Sequence, residues 1–237
     1  MEIRYERFSR AWDDYSTVLE ELASSPNARK ICEVGGGANP FFSLDFVDRQ
    51  QLDYAILDIS AEELKKAPDG YRKLQGDVGS PKFDLPGQYD LIFSMQLAEH
   101  IENGIDFHKN IHGLLKKGAY AFHFFPTLYA PPFILNRFLP SSLSGNLLLW
   151  HSPDRVKEGN RGKFPAYYSW CLGPVKSQID RLENLGYEVE RYVGFFGHDY
   201  YQKWKPFHAL SNLTASILLN YPVPILTSYA YVLLRKK

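Results

Sequence analysis

The residues able to do chemistry begin with Glu33, Gly35, Gly36 and Gly37, which end the run Arg29-Lys30-Ile31-Cys32-Glu33-Val34 and precede Pro40. The apolar run reads as a buried parallel strand. Glycine permits positive φ and leaves no Cβ between backbone and ligand. Pro40 has the fixed φ suited to the first turn of a helix. Strand, glycine turn and helix start make a nucleotide-binding crevice at the carboxyl edge of a sheet. Gly35 and Gly37 also fit the first two positions of a dinucleotide fingerprint, but Pro40 takes the third, where glycine lets the helix pack closely. Glu33 would repel a pyrophosphate there, whereas a cationic α-amino group could be met by its carboxylate, directly or through water. A glycine turn with no ligand is the alternative on this stretch alone.

Four more positions follow. Asp58 closes a second apolar run, residues 52–58, 21 residues past Gly37. A carboxylate there can accept both ribose hydroxyls of a nucleoside. It could instead cap the helix expected over 61–67, a task open to Ser60 as well. Asp77 ends a third strand candidate, 71–78, and either faces the same crevice or caps a surface turn. His100 lies just past the strand candidate 89–95, and His123 ends the candidate 119–125. Both suit a general base near neutral pH, with an ordinary pKa of about 6.5, and both could equally satisfy backbone groups. His108 and His112 stand four apart on a helix expected over 102–117, but no further ligand cluster joins them, so no metal is expected.

The stretch Glu33-Val34-Gly35-Gly36-Gly37-Ala38-Asn39-Pro40 resembles motif I of the class I S-adenosylmethionine-dependent methyltransferases, and several downstream segments fall where that family places them. The resemblance covers residues 28–125 well and the C-terminal strands loosely. It implies an α/β fold, a Rossmann-like three-layer sandwich on a seven-stranded, mostly parallel sheet whose last strand is antiparallel. It also implies S-adenosyl-L-methionine as cofactor and S-adenosyl-L-homocysteine as product. Asp58 would then hold the adenosyl ribose and Ile59 pack on the adenine. Asp77, with Val78 beside it, would meet the adenine amino group, and the backbone at Ser94 and Met95 the methionine end. Glu99-His100 matches a glutamate-histidine pair that many small-molecule methyltransferases carry at this point. Ser94-Met95-Gln96-Leu97 stands where enzymes acting on amino groups of DNA bases carry Asn- or Asp-Pro-Pro-aromatic, which disfavours nucleobase methylation.

The elements that must position these groups fit one domain of 237 residues. Helical spacing of Phe8, Trp12, Tyr15, Val18, Leu19 and Leu22 predicts one or two helices over 5–24, so residues 1–27 form an N-terminal helical cover. Residues 28–125 form the cofactor-binding core. From 126 to 172 prolines and aromatics crowd together, and an insertion after the fifth strand would sit over the crevice. That stretch is the expected substrate lid, with Tyr129, His151, Tyr167 and Tyr168 as candidate acceptor contacts. Residues 173–237 supply helices near 173–185 and 205–221 and strands near 187–196 and 228–234.

Composition narrows the class. The charge balances, 27 basic against 27 acidic residues, which removes the field a nucleic-acid partner normally meets. Cys32 and Cys171 are the only cysteines, and no disulfide framework is indicated, as suits a reducing cytoplasm. Residues 133–139 are apolar but broken by Arg137 and Pro140, too short to span a bilayer. Together with Lys203, Lys205 and the terminal Arg235-Lys236-Lys237 they leave peripheral contact with a membrane as an expectation. The expected activity is methyl transfer to a small molecule or a lipid-linked sugar. The alternative is a cofactor-binding accessory subunit without its own catalysis.

Overall fold

A computed structural model describes residues 1–129, 165–198 and 205–237. Its strands are β1 (Glu2–Arg7), β2 (Lys30–Val34), β3 (Asp53–Asp58), β4 (Arg72–Gln75), β5 (Tyr89–Met95), β6 (Leu115–Pro126), β7 (Tyr187–Phe196) and β8 (Tyr229–Lys236). The helices are α1 (Ala11–Ala23), α2 (Leu44–Gln50), α3 (Ala61–Lys66), α4 (Gly104–Leu114), α5 (Lys176–Asn184) and α6 (Lys205–Asn220). All eight strands join one sheet in the order β1-β7-β8-β6-β5-β2-β3-β4. Only β8 runs against the rest, pairing antiparallel with both β6 and β7. The α/β Rossmann-like fold is as expected.

The eighth strand is a correction. Residues 2–7 pair parallel with β7, from Glu2 beside Arg191 to Arg7 beside Phe196. Here Ile3 and Tyr5 alternate with Glu2, Arg4 and Glu6, a period of two that the helical spacing further on obscured. The helix expected over 102–117 also ends early. Lys116, Lys117 and Gly118 lie in β6, where the register against β5 jumps from Tyr89–Leu115 to Leu91–Tyr120. Gly118 takes φ +78° within that irregularity, as a bulge favours, and Lys116 meets Asp90 at 2.6 Å. Pro40 lies outside any helix. Ser43 caps α2 instead, its hydroxyl accepting from the Phe46 N–H.

Alternation along β6 shows how both faces are covered. Phe122 and Phe124 stack on Tyr15 of α1, with ring centroids 4.6 and 5.1 Å away. His123, between them, points to the opposite face, against Phe107 and His108 of α4. The central strands bury nearly every side chain, as a parallel sheet sandwiched between helices must. Cys32 and Cys171 are free thiols, both fully buried. No helix among the described residues is long and apolar enough to cross a membrane.

The sheet order reverses beside β2, which pairs with β3 on one side and β5 on the other. Ligands of open α/β sheets bind at such a reversal, outside the carboxyl ends of the strands.

Candidate functional site

A cavity of about 1060 Å³ opens at that reversal. The glycine turn after β2, residues 58–60 after β3, residues 76–81 and the segment after β5 line it, together with Pro165 and Tyr167.

The glycine turn is shaped by close approach. Gly35 has φ +82° and Gly37 φ +45°, backbone that L side chains rarely adopt. A Cβ on Gly35 would meet Leu97 Cδ1 at 2.9 Å, and one on Gly37 would meet Asp58 Oδ2 at 3.1 Å. Beneath Gly36 lies Glu33, whose Cδ would be 2.7 Å from an added Cβ. Its carboxylate accepts from the Phe41 N–H at 3.0 Å and from the Tyr54 hydroxyl. Glu33 therefore sits under the turn and is absent from the cavity wall, which leaves only the indirect form of the contact expected of it. Burial raises its carboxyl to about 7, against the lowering effect of Tyr54 and the Phe41 N–H.

Asp58 ends β3 on the cavity wall. Its Oδ1 accepts from the Ser60 N–H at 2.8 Å, and burial raises its pKa. The cap of α3 is Ser60, which accepts from the Glu63 N–H, while the Asp58 carboxylate accepts from backbone N–H groups of Ser60, Gly37 and Ile59 at the cavity wall. Ile59 lies beside it with 63% of its surface exposed. Asp77 and Val78 are on the wall too, and Asp77 also closes a turn by accepting from the Gly79 N–H at 2.9 Å.

After β5 neither of the two expected residues lines the cavity. Ser94 is fully buried, with its Oγ 2.8 Å from His123 Nδ1, and Met95 is absent from the wall. Gln96 and Leu97 line the cavity instead. Gln96 takes φ +55° while its N–H donates to Phe124 O at 2.8 Å, and its buried Nε2 has no hydrogen-bond partner among the described residues. A polar residue just past the central strand was visible in the sequence; its left-handed backbone was not. Strained backbone of this kind gathers at functional sites.

The two histidines separate. His100 lines the cavity, and its Nδ1 lies 2.7 Å from Pro165 O. A carbonyl can only accept, so Nδ1 carries the proton and the neutral ring's basic nitrogen is Nε2. His123 is fully buried within the sheet, between Ser94 and Val232. Burial and nearby His108 hold its pKa well below the ordinary value. It lies off the cavity because β6 runs on to Pro126 and alternation turns the ring toward α4. The catalytic role expected of His123 is withdrawn.

Of the expected acceptor contacts, Tyr167 is on the wall and 41% exposed. Its N–H and that of Tyr168 both donate to Glu99 O, which pins this segment beside His100. Tyr168 is buried and Tyr129 exposed, neither on the wall. His151 and most of the lid lie outside the described residues. Among the described residues no group of three or more His, Cys, Asp or Glu is placed to hold a metal ion.

The sequence matches the family of methyltransferase domains over residues 4–190. No curated protein matches the chain. Among solved structures it is similar to an S-adenosylmethionine-dependent methyltransferase from Mesorhizobium loti, with TM-score 0.55 and 16% identity over 94% of this chain and 99% of that one. A counterpart from Clostridium acetobutylicum gives TM-score 0.58 and 11% identity over 95% and 92%. Phosphoethanolamine N-methyltransferase 2 of Haemonchus contortus, bound to phosphomonomethylethanolamine and S-adenosylhomocysteine, gives TM-score 0.57 and 12% identity over 95% and 52%. At these identities the likeness is one of fold. Motif I, the sheet order and the family match together place this chain among the methyltransferase domains, as a class I S-adenosylmethionine-dependent enzyme.

Proposed function

We propose that the enzyme methylates a small molecule or a lipid-linked sugar, with His100 as the base that takes the acceptor's proton. The observation that carries this reading is the bond from His100 Nδ1 to Pro165 O, which sets the tautomer of a ring on the cavity wall.

The wall fits an adenosyl ligand. The glycine turn allows close backbone approach, Asp58 offers a carboxylate for ribose hydroxyls, and exposed Ile59 offers a flat apolar face. Asp77 is within the same cavity for an amino group, and the unpartnered Gln96 Nε2 is a donor suited to a carboxylate. Glu33 acts one layer down, holding Phe41 and the turn in place. Bound there, S-adenosylmethionine supplies a methyl already activated on a sulfonium. What falls to the chain is orientation, exclusion of water and removal of one proton. Orientation alone can lower a barrier by roughly 7–11 kcal/mol. Tyr167, held beside His100 through Glu99 O, supports an acceptor site on that side.

Two substitutions test the assignment by calorimetry and turnover. Asp58→Ala is expected to weaken S-adenosylhomocysteine binding by about tenfold or more, as loss of hydrogen bonds to a charged group should. Unchanged affinity would reject the ribose role. His100→Ala should leave that affinity intact and lower kcat by about 100-fold or more on an acceptor that must lose a proton. Equal kcat on such an acceptor would reject the base.

A further inference from the structure

Helix α6 carries apolar residues on its outward face as well as its inward one. Among its described side chains the buried one is Ala215, which approaches Gly197, and Ser216 accepts a hydrogen bond from Arg7. On the face turned away stand Leu210, Leu213 and Ile217, each more than half exposed, in line with Tyr221 at 76%. Spacings of three and four place these four on one stripe. Ordinary surface helices put such a stripe against the core. Val223, Ile225 and Leu226, also exposed, extend the apolar surface beyond the helix.

Two further observations bear on what meets this surface. The last acid of the chain is Asp199, so every residue from Tyr200 to Lys237 is neutral or basic although the chain carries 27 acids. Lys205 heads the helix, and exposed Arg7, the last residue of β1, donates to Ser216 on it. Second, this excursion leaves and rejoins the sheet at one edge, because Phe195 of β7 is in register with Tyr229 of β8. That is the carboxyl edge of the parallel strands, where the cavity opens. The root is fixed by Thr227, which fills the space left by Gly173 and Gly194 and donates its hydroxyl to Pro224 O.

We propose that residues 205–226 dock the enzyme on a phospholipid bilayer bearing anionic headgroups. The leucine stripe enters the headgroup boundary, the flanking cations meet the headgroups, and the cavity edge faces the bilayer. The helix lies in the interface and does not span it, being 16 residues long. A second copy of the chain fits less well, since residues 205–226 carry no acid with which to meet Lys205 of the other copy. This proposal stands apart from the roles of Asp58 and His100.

The test is co-sedimentation of the full chain with vesicles of phosphatidylcholine and phosphatidylglycerol. Wild type is expected to sediment with the vesicles, and Leu213→Glu/Ile217→Glu to lose about tenfold or more of that binding. Unchanged S-adenosylhomocysteine affinity shows that the variant is folded; if it is lost, Leu210→Gln/Ile217→Gln serves with the same expectation. Wild type left in the supernatant, or a folded variant that binds as well as wild type, overturns the proposal. So does a wild-type dimer in light scattering that the folded variant converts to monomer, which would make the stripe a self-interface.

Discussion

Glu33 and Glu99 are the two buried acids of the described residues, 5% and 4% exposed. Burial pushes Glu33 up to about 7 and Glu99 up to about 8. An acid whose folded pKa lies above its unfolded value stabilises the native state fully below the unfolded value, here 4.5. That contribution is lost as pH rises through the folded value. Native stability should therefore fall between about pH 5 and 8, and the Glu33 shift alone corresponds to roughly 3 kcal/mol. Thermal unfolding across this range checks it: the midpoint of wild type should drop toward pH 8.5, and Glu33→Gln and Glu99→Gln should each flatten the curve. A midpoint that climbs over the same range would contradict both assignments. The glycines, Asp58 and Asp77 could be placed from the sequence because strand ends at the carboxyl edge converge on one crevice. The aim of Glu33 could not, since a carboxylate at that position can turn outward to a ligand or inward to Tyr54 and the Phe41 N–H.

At the scale of elements, the junction that holds α6 to the sheet is the most demanding piece of packing. A Cβ on Gly173 would run into Pro224 O and Thr227 Oγ1, and the Pro224 contact is backbone that cannot swing aside. Gly173→Ala should cost about 1–3 kcal/mol and lower the melting temperature by roughly 2–12 °C. Calorimetry would check it, and an unshifted melting temperature would mean that the junction is looser than it looks. Affinity for S-adenosylhomocysteine should hold, because none of Gly173, Gly194, Pro224 and Thr227 lines the cavity. Strands β2, β3 and β5 were legible as apolar runs ending in acid or turn residues. Strand β1 was missed because six residues of alternation run directly into a helical pattern. The start of β6 was missed because Lys-Lys-Gly reads as a helix end, and only pairing with β5 turned it into strand.

For the whole molecule, the two thiols report on global integrity. Cys32 lies in the centre of the sheet, its pKa raised to about 12 by burial, and Cys171 is fully buried where the segment beside His100 returns to the core. A thiol reagent should therefore modify neither in the native enzyme and both in denaturant. S-adenosylhomocysteine at 100 times its dissociation constant should slow native labelling by about 100-fold, since it stabilises the folded state by roughly 2.7 kcal/mol. Rapid labelling of one thiol without ligand sensitivity would show a local opening in place of a global one.

Local patterns in the chain were enough for the glycine turn and the strand-end acids, namely an apolar run, glycines where side chains cannot go and a carboxylate at the end of a strand. The fold class followed from the resemblance that residues 33–40 carry. Tertiary structure alone decided which histidine reaches the cavity and how α6 is turned. His100 and His123 look alike in sequence, yet strand length and alternation bury one ring, while Pro165, 65 residues along the chain, orients the other. The stripe on α6 has ordinary helical periodicity, and periodicity does not say which face meets the sheet; packing against Gly197 and Arg7 does.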